Sequence, residues 1–177
     1  MRRPALRFGL VFLAAIAVFS LLLQLPAAES RFVVPFTSLI AHASSFVLGF
    51  IGFQTRVDGT LLIGAEGFSV NILNGCNGVY VTAILVSAVM GFPSSLREKL
   101  VGLALGIPGV QVINLVRIVS LYYIGLRHPA LFEQFHLYVW QTGVIVASMA
   151  LWIYWAEVLV KSARPAAGAG GHPAGGA

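Results

Sequence analysis

Cys76, Arg117 and His136 are the side chains best equipped for covalent chemistry in this chain, and each stands in an unusual setting. Cys76 is the sole cysteine and lies in Asn74-Gly75-Cys76-Asn77-Gly78, where permissive backbone and polar amides surround the sulfur instead of the Leu and Val that flank a packing cysteine. Arg117 interrupts the apolar run Val112 to Tyr123, where a guanidinium at mid-bilayer costs at least about 2.5–3.5 kcal/mol unless it is paired or snorkels. His136 opens another apolar stretch. Thiol, guanidinium and imidazole together are the parts of a cysteine acyl-transfer site. Taken singly, each has a plainer reading: a small hydrophobe, an arginine anchored on a backbone carbonyl, an interfacial histidine. His42 and His128 compete for the base role, His42 on an amphipathic segment and His128 beside Arg127 in a loop, while His172 sits in a glycine-rich tail. One cysteine excludes an intrachain disulfide, a CxxC redox pair and a multi-cysteine metal site, and no cofactor or metal is expected.

The elements that position these groups must lie in a membrane. Of 177 residues, 58% are hydrophobic and 10% charged, against roughly a quarter charged in a soluble domain. Mean hydropathy is +0.90. The net charge of +5 comes from basic residues at segment ends and not from a stripe or run, so it argues for orientation in a bilayer and against nucleic-acid binding. The length suits about four spans of about 20 residues each and leaves no room for a separate soluble catalytic domain.

The predicted fold is an all-α integral membrane protein: a bundle of about four transmembrane helices, an interfacial helix and a small extracytoplasmic β-hairpin or meander. One domain covers residues 1–161, with spans at about 8–25, 76–92, 100–124 and 137–160 and an extracytoplasmic segment at 26–75. The first run reads as a retained span and not a cleaved signal peptide, because it exceeds a usual signal core and Leu25-Pro26-Ala27-Ala28-Glu29 is only a passable cleavage site. Residues 36–53 are apolar but carry Thr37, Ser38, His42, Ser44 and Ser45, which marks an interfacial or half-buried helix. Asp58-Gly59 and Gly64-Ala65-Glu66-Gly67 punctuate short β-prone runs, and Phe68 to Ile72 alternates apolar and polar residues. Gly106-Ile107-Pro108-Gly109 predicts a kink, and Gly102 with Gly106 forms a small-residue packing motif. The Gly/Ala/Pro-rich tail 162–177 is expected to be disordered.

Arg2, Arg3, Arg7, Arg97, Lys99, Lys161 and Arg164, seven of the eleven basic residues, fall on one side of this arrangement, which makes both termini cytoplasmic. Were residues 36–53 a full span, every later segment would invert and Arg97 and Lys99 would face outward. In the four-span arrangement Cys76 occupies the N-terminal end of the second span, a setting that favours the nucleophilic thiolate. From Leu100, 17 steps at ~1.5 Å carry Arg117 about 26 Å across a core of about 30 Å, to the depth of Cys76. Asn114, three positions earlier, shares its helical face and is placed to orient it or to contact a substrate carbonyl. His136 arrives at the same face.

Cys76 in Asn-Gly-Cys-Asn-Gly, Asn114-Leu115-Val116-Arg117-Ile118 in a later span, and Phe135-His136 opening the next together resemble the signature of the exosortase/archaeosortase family over about residues 55–160. The chain is shorter than the commoner members and so resembles the compact subfamilies, of which the exosortase H type is the expectation. The resemblance implies a membrane-embedded cysteine protease or transpeptidase of the bacterial inner membrane, with its site facing outward. Cys76 would be the nucleophile, Arg117 the essential arginine and His136 the acid/base. Its partners would be exported proteins with a C-terminal sorting tag: a short motif, one transmembrane helix and a basic tail. The hairpin region offers an edge to which the extended motif can add as a strand. Asn77 and Asn114 are the reserve oxyanion donors. The competing reading is a non-catalytic membrane subunit or small transporter that uses Arg117 as a counter-ion.

Overall fold

The computed structural model describes residues 2–160. These form five helices, α1 (Arg2–Leu23), α2 (Pro26–Phe50), α3 (Val79–Gly91), α4 (Leu96–Arg127) and α5 (Pro129–Val160). Between α2 and α3 lie three short strands, β1 (Thr55–Asp58), β2 (Leu61–Gly64) and β3 (Ser69–Asn71). The chain is thus an all-α membrane protein with one small sheet, as expected. The tail from Ser162 to Ala177 lies outside the described residues.

Among the described residues, four helices are long and apolar enough to cross a membrane: α1 from Ala5, α2, α4 and α5. Their outward faces carry Leu10, Leu13, Leu21, Leu105, Val112, Val146 and Met149 exposed, an arrangement stable only in an apolar surround. The membership of the four differs from expectation. The predicted span 76–92 is the 13-residue α3, about 20 Å long, because Cys76 to Gly78 form a turn and not a helical start. The predicted interfacial helix 36–53 is part of α2, which runs unbroken from Pro26 for 25 residues. A widened π-helical turn, Glu29–Val33, lies directly before Pro35, whose missing N–H leaves a gap in the ladder.

α3, α4 and α5 pack around Leu85, Val89, Val110, Trp155, Ala156 and Val160. Neighbours run antiparallel: Gly106 of α4 faces Leu85 of α3, and Gly102 and Gly109 face Trp155 and Leu151 of α5. The two glycines of the small-residue motif thus admit two different helices. Pro108 lies inside α4 without ending it. Ser95 and Glu98 form a reciprocal capping box at the start of α4, and Lys99 Nζ donates to Met90 O at 2.6 Å, which joins that start to the end of α3. Phe8 packs at Gly91, so the beginning of α1 lies at the same end. Arg7, Arg97 and Lys99 therefore belong to one basic end of the bundle.

A second layer covers the opposite end. Thr37 of α2 meets Asn77, Ile40 and Ala41 pack with Ile118, and Leu48 packs with Tyr122. α2 therefore runs beside the C-terminal half of α4 in the same direction and does not return to the basic end. The sheet is an antiparallel meander in the order β1-β2-β3. Gly59, with φ +60°, makes the tight β1–β2 turn. The sheet is pinned by Leu62 against Leu48 and Tyr122 and by the Phe68 ring against Gly125, where even a methyl group would overlap it.

Candidate active site

The turn that carries Cys76 is shaped by its glycines and held by its asparagines. Gly75 and Gly78 take φ of +96° and +75°, which side chains rarely tolerate. Asn77 is fully buried: its Oδ1 accepts from Val79 N at 3.1 Å, and its Nδ2 donates to Thr37 Oγ1 at 2.9 Å and to Asn74 Oδ1 at 3.2 Å. Thr37 in turn donates to Val33 O at 2.7 Å. Asn74 reaches back to Glu29 Oε1 at 3.3 Å. Every amide of the motif is engaged in fixing the loop, and the half-buried thiol is left to face a cavity.

Into that cavity the other two expected residues converge. His136 Nε2 lies 3.0 Å from Cys76 Sγ, and Arg117 Nη2 donates to the same sulfur at 3.7 Å. Arg117 is 3% exposed, and its Nε has no hydrogen-bond partner, so one donor of the guanidinium is uncommitted. His136 sits in a π-helical turn, Phe135–Trp140, and stacks on Phe132 with ring centroids 5.7 Å apart. Such widened turns interrupt the regular ladder and recur at functional positions. The cavity, about 250 Å³, is closed by the segment Phe68 to Leu73 and by Ile118, Leu121 and Phe132. Among the described residues, three other clefts, about 510, 320 and 250 Å³, hold no comparable cluster.

Two expectations about the surroundings change. Because α3 begins at Val79, Cys76 precedes it by three residues, and Asn77 already occupies the Val79 N–H. The charge beside the sulfur is the Arg117 guanidinium and not the helix terminus. Asn114, one turn before Arg117 and fully buried, makes no hydrogen bond to it; both of its amide atoms are unpartnered, and it lies against Gly78. The rival histidines are elsewhere. His42 Nδ1 lies 2.8 Å from Ser38 O of its own helix, and His128 is exposed between α4 and α5; neither borders the cavity. His172 lies outside the described residues. Thr37 and Phe132 escaped the sequence reading. The Phe132–His136 spacing of four is a legible signal, whereas Thr37 acts across forty residues and leaves none.

Comparison with known proteins agrees with this architecture. The family model for transmembrane exosortases (Exosortase_EpsH) matches residues 5–159, and the chain belongs to that family. It is a multi-pass membrane protein of the exosortase family. Comparisons with curated proteins and with solved structures returned no match.

Proposed function

We propose that this protein is a cysteine transpeptidase or protease that cleaves C-terminal sorting signals of exported proteins by thioester acyl transfer at the outer face of the bacterial inner membrane. The observation that carries the reading is the convergence of His136 Nε2 at 3.0 Å and Arg117 Nη2 at 3.7 Å on the chain's one thiol. A histidine at hydrogen-bond distance takes the thiol proton as the sulfur becomes the nucleophile. The thiolate attacks a peptide carbonyl, forming the S–C bond. The uncommitted edge of Arg117 stabilises the oxyanion, a role that fixed donors fill at a cost of 10²–10³-fold when one is removed. Collapse breaks the C–N bond, and His136 returns its proton to the departing amine. Water or an acceptor amine then attacks the thioester carbonyl, loses a proton to His136 and releases Cys76.

Orientation follows from the basic end, which the positive-inside rule assigns to the cytoplasm and which leaves the sheet, α2 and the thiol facing outward. The test is co-expression with exported proteins that end in an apolar helix and a basic tail, followed by mass spectrometry of the new C-terminus. A free acid indicates hydrolysis and an amide-linked acceptor indicates transpeptidation. Processing that survives Cys76→Ala would sink the cysteine mechanism, since removing a covalent nucleophile removes the pathway.

A further inference from the structure

The two edges of the sheet are β1 and β3, and they are treated differently. β1 is fastened to α2 by Ser45, whose hydroxyl lies 2.7 Å from Thr55 Oγ1 and 3.3 Å from Thr55 O. β3 pairs with β2 on one side, and on the other lies the cavity that holds Cys76. Six consecutive residues, Phe68 to Leu73, border that cavity. Side chains of a strand alternate between faces, so a cavity on one face would meet every second residue. Contact along the whole run means that the cavity meets the strand edge-on.

The pairing register identifies the backbone groups that stand at this edge. Gly64 N donates to Phe68 O, Ile72 N donates to Thr60 O, and Val70 stands opposite Leu62. Phe68, Val70 and Ile72 thus turn their N–H and C=O groups toward β2. In an antiparallel ladder the intervening residues turn theirs the other way, so Ser69 and Asn71 present donors and acceptors to the cavity. The Asn71 side chain is held back toward β2, where Thr60 Oγ1 donates to its Oδ1 at 2.9 Å. The edge is left clear, and across the cavity stand Cys76, Arg117 and His136.

We infer that β3 is the substrate-docking edge: the segment containing the scissile bond adds to it as a fourth strand and exchanges main-chain hydrogen bonds with Ser69 and Asn71. This rests on the acyl-transfer reading above and supplies its mode of recognition. The occupant is an extended stretch of an exported polypeptide. A helical segment keeps its carbonyls in its own ladder and offers none to an edge or to a thiolate. Strand addition fixes a carbonyl through main chain alone and leaves alternate side chains free to be read by the cavity walls.

The test uses the full chain in its own membranes and an exported reporter ending in an extended segment, one apolar helix and a basic tail. In a Cys76→Ala background, Asn71→Cys gives a single thiol at the edge. Single cysteines are then placed at successive positions of the reporter's extended segment, and disulfides are formed with copper phenanthroline. Strand addition gives crosslinking that peaks at every second position. A three-to-four-residue period or a flat profile overturns the proposal. In the otherwise wild-type protein, Ser69→Pro removes an outward N–H that β2 does not use, and it is expected to process the reporter about tenfold more slowly than Ser69→Ala. Equal rates also overturn it. Crosslinking needs no catalysis, which separates the two readings. A two-residue period with processing independent of Cys76 keeps the edge and discards the cysteine mechanism, and Cys76-dependent processing without the period does the reverse.

Discussion

Asn77 and Thr37, forty residues apart, meet through a 2.9 Å hydrogen bond that hangs the turn carrying Cys76 from α2. Asn77 has no solvent contact, so its lost partners cannot be replaced by water. Asn77→Ala leaves the Val79 N–H without its acceptor and removes the donor to Thr37 Oγ1 and Asn74 Oδ1, and is expected to cost about 1–3 kcal/mol. Thr37→Val, which keeps the shape, is expected to cost less than Asn77→Ala. Thermal unfolding in detergent, with maleimide labelling of Cys76 as a local readout, measures both; an Asn77→Ala protein as stable as wild type would deny the clamp.

Arg117 separates charge from geometry. Arg117→Lys preserves a cation at that depth but replaces a planar, multi-donor group with a single mobile ammonium. If the guanidinium holds an oxyanion, processing falls by about 10²-fold or more. Rates are compared at matched membrane abundance with Arg117→Ala alongside. Near-normal turnover by the lysine variant would return Arg117 to an anchoring role and leave Cys76 and His136 as a dyad that needs another oxyanion donor.

For His136 the ring and its support are tested together. His136→Gln keeps a polar side chain but cannot shuttle a proton, and a loss of about 10²–10⁴-fold is expected. Phe132→Leu removes only the stacked ring, and its expected cost is a few-fold to about tenfold. A processing rate for His136→Gln equal to that of Phe132→Leu would mean that the imidazole acts only as packing.

Topology is testable because Cys76 is the chain's one thiol. In a Cys76→Ala background, Glu66→Cys at the exposed turn between β2 and β3 is expected to react with a membrane-impermeant maleimide on intact cells. Arg97→Cys, at the exposed start of α4, is expected to react only after permeabilisation. The reverse pattern would put the sheet in the cytoplasm and the site on the wrong side for exported substrates.

The three side chains that converge on the cavity were legible because each was anomalous for its surroundings: a thiol among glycines and amides, a guanidinium in an apolar run, an imidazole at the start of a helix. The extent of α2 was not. Its polar residues suggested a separate helix at 36–53, whereas the helix begins at Pro26; Thr37 and Ser44 donate to the carbonyls of Val33 and Ile40 within it, and His42 Nδ1 lies 2.8 Å from Ser38 O. The start of α3 was misread because Cys76-Asn77-Gly78 runs directly into apolar residues, and only the positive φ of Gly78 shows where the turn ends. The widened turn at His136 has no proline or glycine in Phe135–Trp140 to announce it.

α4 and α3 are mismatched in length, 32 residues against 13, or about 48 Å beside about 20 Å. A hydrocarbon slab of about 30 Å can be flush with neither. α3 stops short of the waterline and α4 stands above it, so the bundle has a step, and the Cys76 turn rests on the tread with α4 as the riser. A step of this kind thins the apolar slab locally and admits water into a notch that would otherwise be oil. That wetness lets the half-buried thiol and imidazole sit beside a buried guanidinium at the bilayer's rim without themselves bearing the full cost of dehydration. It also makes the notch a meeting point of two solvents, the place where the proposed lipid-anchored substrate would expose its scissile carbonyl to water.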